Sequence, residues 1–292
     1  MANRRDRPAQ DWRKIKDWLA YGLGAVCIIV AVIPLASILV EVVGNGISTI
    51  NFDFLTTTPS IVVGSGSGGG IGPAIQGTFL LLGLAIIMAV PLGLMSGIYL
   101  AEFGNNQYGK SIRFLNDVFT EFPSIVIGLL IYSLIVVATQ SFSTIAGATA
   151  LAVIMLPFVT RTTEESIKLV PSSSRDAATA LGIRRWRATI SIVLSTAKNG
   201  VATGILLSIA RISGETAPLL LTILGSQFFF SAWNQPIDAL PLRIFRDSSL
   251  PYQYARDQAW GAALVLIAIV LGLNITIRLA TRGKYSATRV RT

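Results

Sequence analysis

Arg211 and Glu215 stand in the string ARISGETAPLLL, inside a stretch otherwise built from aliphatic and small residues. A charge near the centre of a bilayer costs about 2.5–3.5 kcal/mol even on the mildest scale, so two of them need a reason. At about 100° per residue, a helix through this stretch places Gly204, Ser208, Arg211, Glu215 and Thr222 within one arc of about 60°. A face so small and polar should line a protein interior or an aqueous path, never lipid. Guanidinium offers a planar fork of donors that matches an oxyanion. A carboxylate one turn along could hold that guanidinium when the path is empty, or accept a hydrogen bond from a protonated oxyanion. The alternative is a structural ion pair at i,i+4 that locks two helices together. Pro218 tilts the choice toward a path, because it removes a backbone hydrogen bond near this turn and permits local rearrangement.

Other chemistries find little support. The chain has no histidine and a single cysteine, Cys27, within an apolar run. That excludes a disulfide scaffold and cysteine metal sites, and it removes the usual acid–base residue. Residues 104–111, GNNQYGKS, match the nucleotide-binding pattern G-x4-G-K-[ST] letter for letter. Such a loop needs a strand before it, a helix after it, and an acid ending a later buried strand to hold magnesium. Here a membrane-length apolar run precedes it and no suitable later strand follows. The expectation is a short turn carrying Lys110 and Arg113.

These residues need a scaffold, and the composition names its class. Hydrophobic residues make up 52% of the 292, charged residues only 13%, and the mean hydropathy is +0.63. This is an all-α polytopic membrane protein with no room for a large soluble domain. Six spans are expected: 18–43, 77–101 with a kink at Pro91 and Gly93, 123–139, 144–162, 198–224 and 257–280. The first is too long for a signal-peptide core and is read as uncleaved. The domain plan is a basic N-tail at 1–17, a six-span transmembrane body at 18–280 with a polar loop at 163–197, and a basic C-tail at 281–292. Segment 44–76 has no Lys or Arg and carries the linker-like GSGSGGGIG. Most of the 24 Lys and Arg fall in the N-tail, the 102–122 segment, the polar loop and the C-tail. By the positive-inside rule, both termini are then cytoplasmic in a multi-pass membrane protein. The net charge of +9 reflects that topology, so no nucleic-acid partner is expected.

Within the polar loop, Asp176-Ala177-Ala178 is followed after three residues by Gly182, and after nine more by Ile192-x-Leu194. Ser172, Ser173 or Ser174 could cap a helix through DAATAL, Gly182 could end it in a left-handed turn, and a second helix could follow from 184–187. The small side chains at 177, 178 and 180 would let a partner surface approach closely.

That spacing resembles the "EAA" cytoplasmic loop of permease subunits of bacterial ABC importers, with Asp176 for the usual Glu and Ser195 for the usual Pro. EFPSIVIGLLIY (121–132), RISGETAPLL (211–220) and the late LPLRIF and PYQYARDQAWGAALVL are similar to the A-type permease of phosphate-specific importers. The resemblance covers nearly the whole chain and implies a type I importer architecture in a prokaryotic plasma (inner) membrane. It also implies that Arg211 and Glu215, with Ser208 and Thr216, belong to the substrate path. Asp176, Ala177, Ala178, Gly182, Ile192 and Leu194 would couple to the ATPase. Implied partners are a second homologous permease, two ATP-binding cassette ATPase subunits, an external phosphate-binding protein and the lipid bilayer. ATP and magnesium would be held by the partners, with no cofactor in this chain. An importer for another oxyanion, molybdate or sulfate, is the alternative. A membrane-embedded enzyme lacks a cofactor motif or paired carboxylates here, and a secondary transporter would have no use for a coupling loop.

Overall fold

The computed structural model describes residues 7–59 and 69–282. Most of the glycine–serine run and the C-tail beyond 282 lie outside the described residues. The helices in chain order are α1 (Arg7–Gly46), α2 (Phe52–Thr56), α3 (Gly72–Glu102), α4 (Gln107–Glu121), α5 (Ser124–Thr139) and α6 (Thr144–Lys168). They continue with α7 (Ser172–Ala180), α8 (Arg185–Ile212), α9 (Ala217–Thr222), α10 (Leu240–Ser248) and α11 (Gln253–Arg282). Among the described residues the only strand-like pairing is an isolated bridge, Pro59 to Gly69. The all-helical class is therefore met.

Five of these helices are long and apolar enough to cross a membrane, and six spans result if the pair α4 and α5, bent by 106° at the 122–123 junction, is counted as one. Phe122 and Pro123 are extended there, since a residue before proline is pushed out of the helical region. Alone, α5 would reach only about 24 Å, short of a hydrocarbon core of about 30 Å. Several expected boundaries shift. Helix α1 already begins at Arg7, inside the segment expected as a tail, and the fourth span runs on to Lys168. Helix α3 is unbroken through Pro91, so the expected kink does not interrupt it. The polar loop contracts to the stretch between Lys168 and Arg185, because helix enters it from both sides.

The fifth span departs furthest from expectation. It starts at Arg185, passes through a wide π-type turn at Thr189–Val193, and stops at Ile212. Pro218, in the first turn of α9, has no N–H to continue an α ladder. Gly214 and Glu215 instead close three-residue turns onto Arg211 O (3.3 Å) and Ile212 O (3.2 Å), and the helix ends.

Helices α3 and α6 form the centre. A Cβ on Gly93 would stand 2.7 Å from the Val159 side chain, and one on Gly97 would stand 2.6 Å from Thr163, so the two backbones meet along a glycine seam. Close van der Waals packing of this kind holds helices together where lipid is as apolar as leucine. Leu81, Ala85, Ala89, Leu151, Met155 and Val159 fill the core around the seam. In contrast, the most apolar window of α1 is wholly unburied, and the helix meets the body mainly through α11, where a Cβ on Gly46 would stand 2.8 Å from Trp260 O.

The two ends of the bundle differ. One carries the 169–184 loop. Across the other folds the segment 225–239, with Ile237 and Asp238 buried. Phe230 N–H donates to Gln76 Oε1 (2.8 Å), Leu240 N–H to Thr78 Oγ1 (2.9 Å), and Thr144 N–H to Gln235 O (3.0 Å). This cap is therefore pinned to the first turns of α3 and α6.

Candidate functional site

Arg211 lies in the last turn of α8 and is exposed. Its guanidinium carbon sits 4.2 Å from the ring centroid of Phe158 on α6. A cation over an aromatic face is stabilised by about 0.5–2 kcal/mol. The end of a helix also favours a positive charge. Among the described residues, no ion pair within 4.0 Å and no side-chain hydrogen bond involves Arg211 or Glu215. The guanidinium lies over the ring, and its N–H donors have no hydrogen-bond partner among the described residues.

The expected five-residue face is only partly formed. Gly204, Ser208 and Arg211 share α8, whereas Glu215 and Thr222 fall beyond the helix end and lose that register. Glu215 and Thr216 are half-buried in the break between α8 and α9, and the Thr216 hydroxyl makes no capping bond. Ser208 is buried and its Oγ donates to Gly204 O (2.8 Å), so its hydroxyl faces its own helix. Such a bond to the carbonyl four residues back is common for a helical serine, and Gly204 itself lies against Thr162 with no space for a side chain. Ser208 and Gly204 thus form the α8–α6 seam, with Arg211 and Phe158 at its edge.

At the loop end, Pro171 precedes α7 and no side chain caps the helix, so Ser172–Ser174 form its first turn instead of supplying the expected cap. Its C-terminus behaves as the sequence predicts. Gly182 has φ +75°, its N–H donates to Thr179 O (2.9 Å), and Ile183 N–H reaches Ala178 O (3.1 Å), a Schellman closure. Asp176, Ala177 and Gly182 face outward, as do Leu169 and Leu181, while Ala178 turns inward. Ile192 and Leu194 are half-buried at the start of α8, and Leu194 packs with Val170 and Val193 under the loop.

The residues that anchor this loop are ones the sequence reading passed over. Glu102, the last residue of α3, has a side chain only 3% exposed and takes Arg175 Nε at 2.8 Å. Arg175 also donates to Val170 O (2.6 Å) and Ile167 O (3.0 Å), and Arg185 donates to Glu102 O (2.5 Å). A buried carboxylate must be paired, and losing one partner of such a pair is strongly destabilising. Glu164 on α6 repeats the device with Arg113 (2.8 Å) and Lys168 (2.5 Å). Arg113 ties in the end of α3 through Leu100 O (2.7 Å) and Gly104 O (3.0 Å). A cleft of about 290 Å³ lies beside these groups, lined by Glu102, Arg175, Asp176, Thr179, Arg185 and Thr189. One signal was available: a lone acid, Glu102, ending an apolar run.

The GNNQYGKS string is the turn between α3 and α4. Asn106 caps α4 by accepting the Gly109 N–H (2.8 Å), and Gly109 packs on Gly104 where a Cβ would collide. The preceding element is helix and Lys110 is exposed. Under the cap, Arg243 pairs with Asp247 (2.6 Å) and Gln258 (3.1 Å), and Arg246 pairs with Asp238 (2.7 Å). Burial pushes both Asp carboxyls above their ordinary range, against the opposing pull of these arginines. Arg243 and Arg246 are thus internal struts of the cap.

The structure is a helical body of membrane-length spans with an exposed helix–Gly loop at one end. Residues 89–283 match the model of the binding-protein-dependent transport system inner membrane component family. The chain is 40% identical over 275 residues to the phosphate transport system permease protein PstA of Haemophilus influenzae, covering 94% of this chain and 96% of that one. It is 41% identical to the Yersinia pestis protein of that name, with 93% and 92% covered. The probable counterpart in Methanocaldococcus jannaschii is 36% identical, with 92% and 95% covered. Among solved structures, a bacterial ABC transporter that imports alginate superposes with a TM-score of 0.66 at 16% identity, over 95% of this chain and 100% of that one. The inward-facing MetNI methionine transporter gives 0.58 at 15%, over 73% and 93%. These two establish the fold alone. The chain belongs to the binding-protein-dependent transport system inner membrane component family, in the branch of the phosphate transport system permeases.

Proposed function

We propose that this chain is the permease subunit of an ATP-driven importer of inorganic phosphate, with the 169–184 loop and both termini on the cytoplasmic side. The observation that carries the reading is the Arg211 guanidinium, held over an aromatic ring with no ion-pair or hydrogen-bond partner among the described residues, beside a break in a membrane helix. An anion can bridge to such a fork and leave again, because no buried carboxylate must be displaced. The near full-length similarity to phosphate permeases supports phosphate over molybdate or sulfate. Glu215 and Thr216 line the same break, where the carboxylate can accept a hydrogen bond from a protonated phosphate oxygen. The chain forms half of the path with a second, homologous permease. Of two ATPase subunits, which hold ATP and magnesium, one docks on the exposed α7 face and the other on the second permease, and a phosphate-binding protein delivers substrate at the opposite end. The test is uptake of labelled phosphate, sulfate and molybdate by cells relying on this chain; uptake of sulfate or molybdate without phosphate would overturn the assignment.

Phe158→Leu keeps most of the volume but removes the ring face. Uptake should fall about 2- to 30-fold, the equivalent of one cation–π contact, while Phe158→Tyr stays near wild type. Equal activity of the Leu and Tyr variants, at matched membrane levels, would show that the ring does not hold Arg211. Lys110→Ala should leave uptake close to wild type, because nucleotide binds the partner subunits. A purified chain that binds ATP alone, and loses it on Lys110→Ala, would contradict this.

A further inference from the structure

Helix α3 is tied by polar contacts at its two ends to the 169–184 loop and to the cap across the opposite end of the bundle. At its C-terminal end, Glu102 receives Arg175 from α7, and its carbonyl receives Arg185 from the start of α8. At its N-terminal end, Gln76 and Thr78 accept backbone N–H groups of the cap, from Phe230 and Leu240. Gly77 lies flush against the cap at Asp238, where any side chain would collide. Between these ends runs one unbroken helix, with about 36 Å separating Thr78 from Glu102. Its glycine seam on α6 makes the pair one stiff body, and α6 holds the same cap through Thr144 and Gln235.

The contacts of α7 itself are sparse by comparison. Of its nine residues only Ala178 is buried, so the Arg175 side chain, bonded to one carboxylate and two carbonyls, is its main attachment to the body. Lysine could not reproduce this set, since it lacks the planar fork that reaches all three acceptors.

We infer that α3 is a transmission rod, and that Arg175, Glu102 and Thr78 are positioning residues that pass motion of the ATPase-docked loop to the cap over the opposite mouth. The inference rests on the coupling-loop reading above. Packed elements with polar joints at each end carry displacement as a unit, because cores are not continuously deformable.

The test uses the assembled importer in proteoliposomes, with phosphate uptake and ATP hydrolysis measured side by side. A fluorophore on Ser231→Cys, an exposed position in the cap, reports cap motion in a Cys27→Ser background with cysteine-free partner subunits. For Arg175→Gln, made together with Glu102→Gln so that no buried carboxylate is left unpaired, the ATPase subunits should still copurify and hydrolyse ATP within about twofold of wild type. Phosphate moved per ATP, and the ATP-dependent fluorescence change, should both fall about tenfold. Thr78→Val, nearly isosteric and at the far end of the rod, should give the same split while leaving α7 untouched. A wild-type ratio of phosphate to ATP in either variant overturns the inference. So does loss of the ATPase subunits from the Arg175→Gln, Glu102→Gln variant, which would make Arg175 a docking residue. If Ala177→Glu also leaves copurification and uptake intact, the coupling-loop reading itself has failed, and the inference falls with it.

Discussion

Arg211→Gln is expected to lower phosphate uptake by about a hundredfold or more, with the subunit still present in the membrane at normal level. Two hydrogen bonds from a charged donor to an oxyanion carry about 1.5–3 kcal/mol each, and glutamine supplies neither the charge nor the fork. The cost to folding should be small by comparison. Arg211 has no ion-pair partner among the described residues, so its removal leaves no buried carboxylate stranded. What the fold loses is one cation–π contact and a favourable helix-end charge, together about 1–3 kcal/mol. Arg211→Lys keeps the charge without the fork and should retain only a fraction of the uptake. Glu215→Gln keeps an acceptor near the path and should be milder than Arg211→Gln. The measurement is labelled phosphate uptake in cells, with membrane levels checked by blotting. Normal transport by Arg211→Gln, or failure only because the subunit is degraded, would place the path elsewhere.

Ala177→Glu is expected to abolish coupled uptake without removing the protein from the membrane. Ala177 is exposed on the outer face of α7, and glutamate is nearly as good a helix former as alanine, so α7 itself should persist. The defect then comes from a bulky charge on a surface that a partner must approach closely. Gly182→Asp adds charge at the same edge, but its φ of +75° also costs about 1–2 kcal/mol of local backbone strain for a residue with a Cβ. The first variant is therefore the cleaner probe. The check is copurification of the ATPase subunits together with uptake, and a well-expressed Ala177→Glu variant that does both normally would exclude α7 as the docking element.

Much of this protein was legible along the chain because it depends on local chemistry. Length and hydropathy call for membrane helices, since a span is a property of about 20 consecutive residues. Gly182 ends α7 in a left-handed turn because only its own backbone and four neighbours decide that geometry. The nucleotide-loop lookalike at 104–111 could be dismissed for the same reason, as the element before it is too long and apolar to be a strand. The break after Ile212 was half visible. Pro218 announced a lost hydrogen bond, yet a helical projection was still carried through it to Glu215 and Thr222.

Tertiary structure decided the rest. By hydropathy α1 is the most apolar span, yet its most apolar window is unburied, whereas the less apolar α6 is the most buried. Hydropathy measures what a helix loses in water and is silent about which neighbour replaces the lipid. Arg211 looked paired with Glu215 because they are four residues apart, but its contact is Phe158 on another helix. Glu102 and Arg175, 73 residues apart, meet because α3 and the loop end at the same place, and each satisfies a group the other would leave buried and unpaired. Such partners depend on where helices cross, and that is set by the glycine seam between α3 and α6, a shape that exists only once both helices are packed.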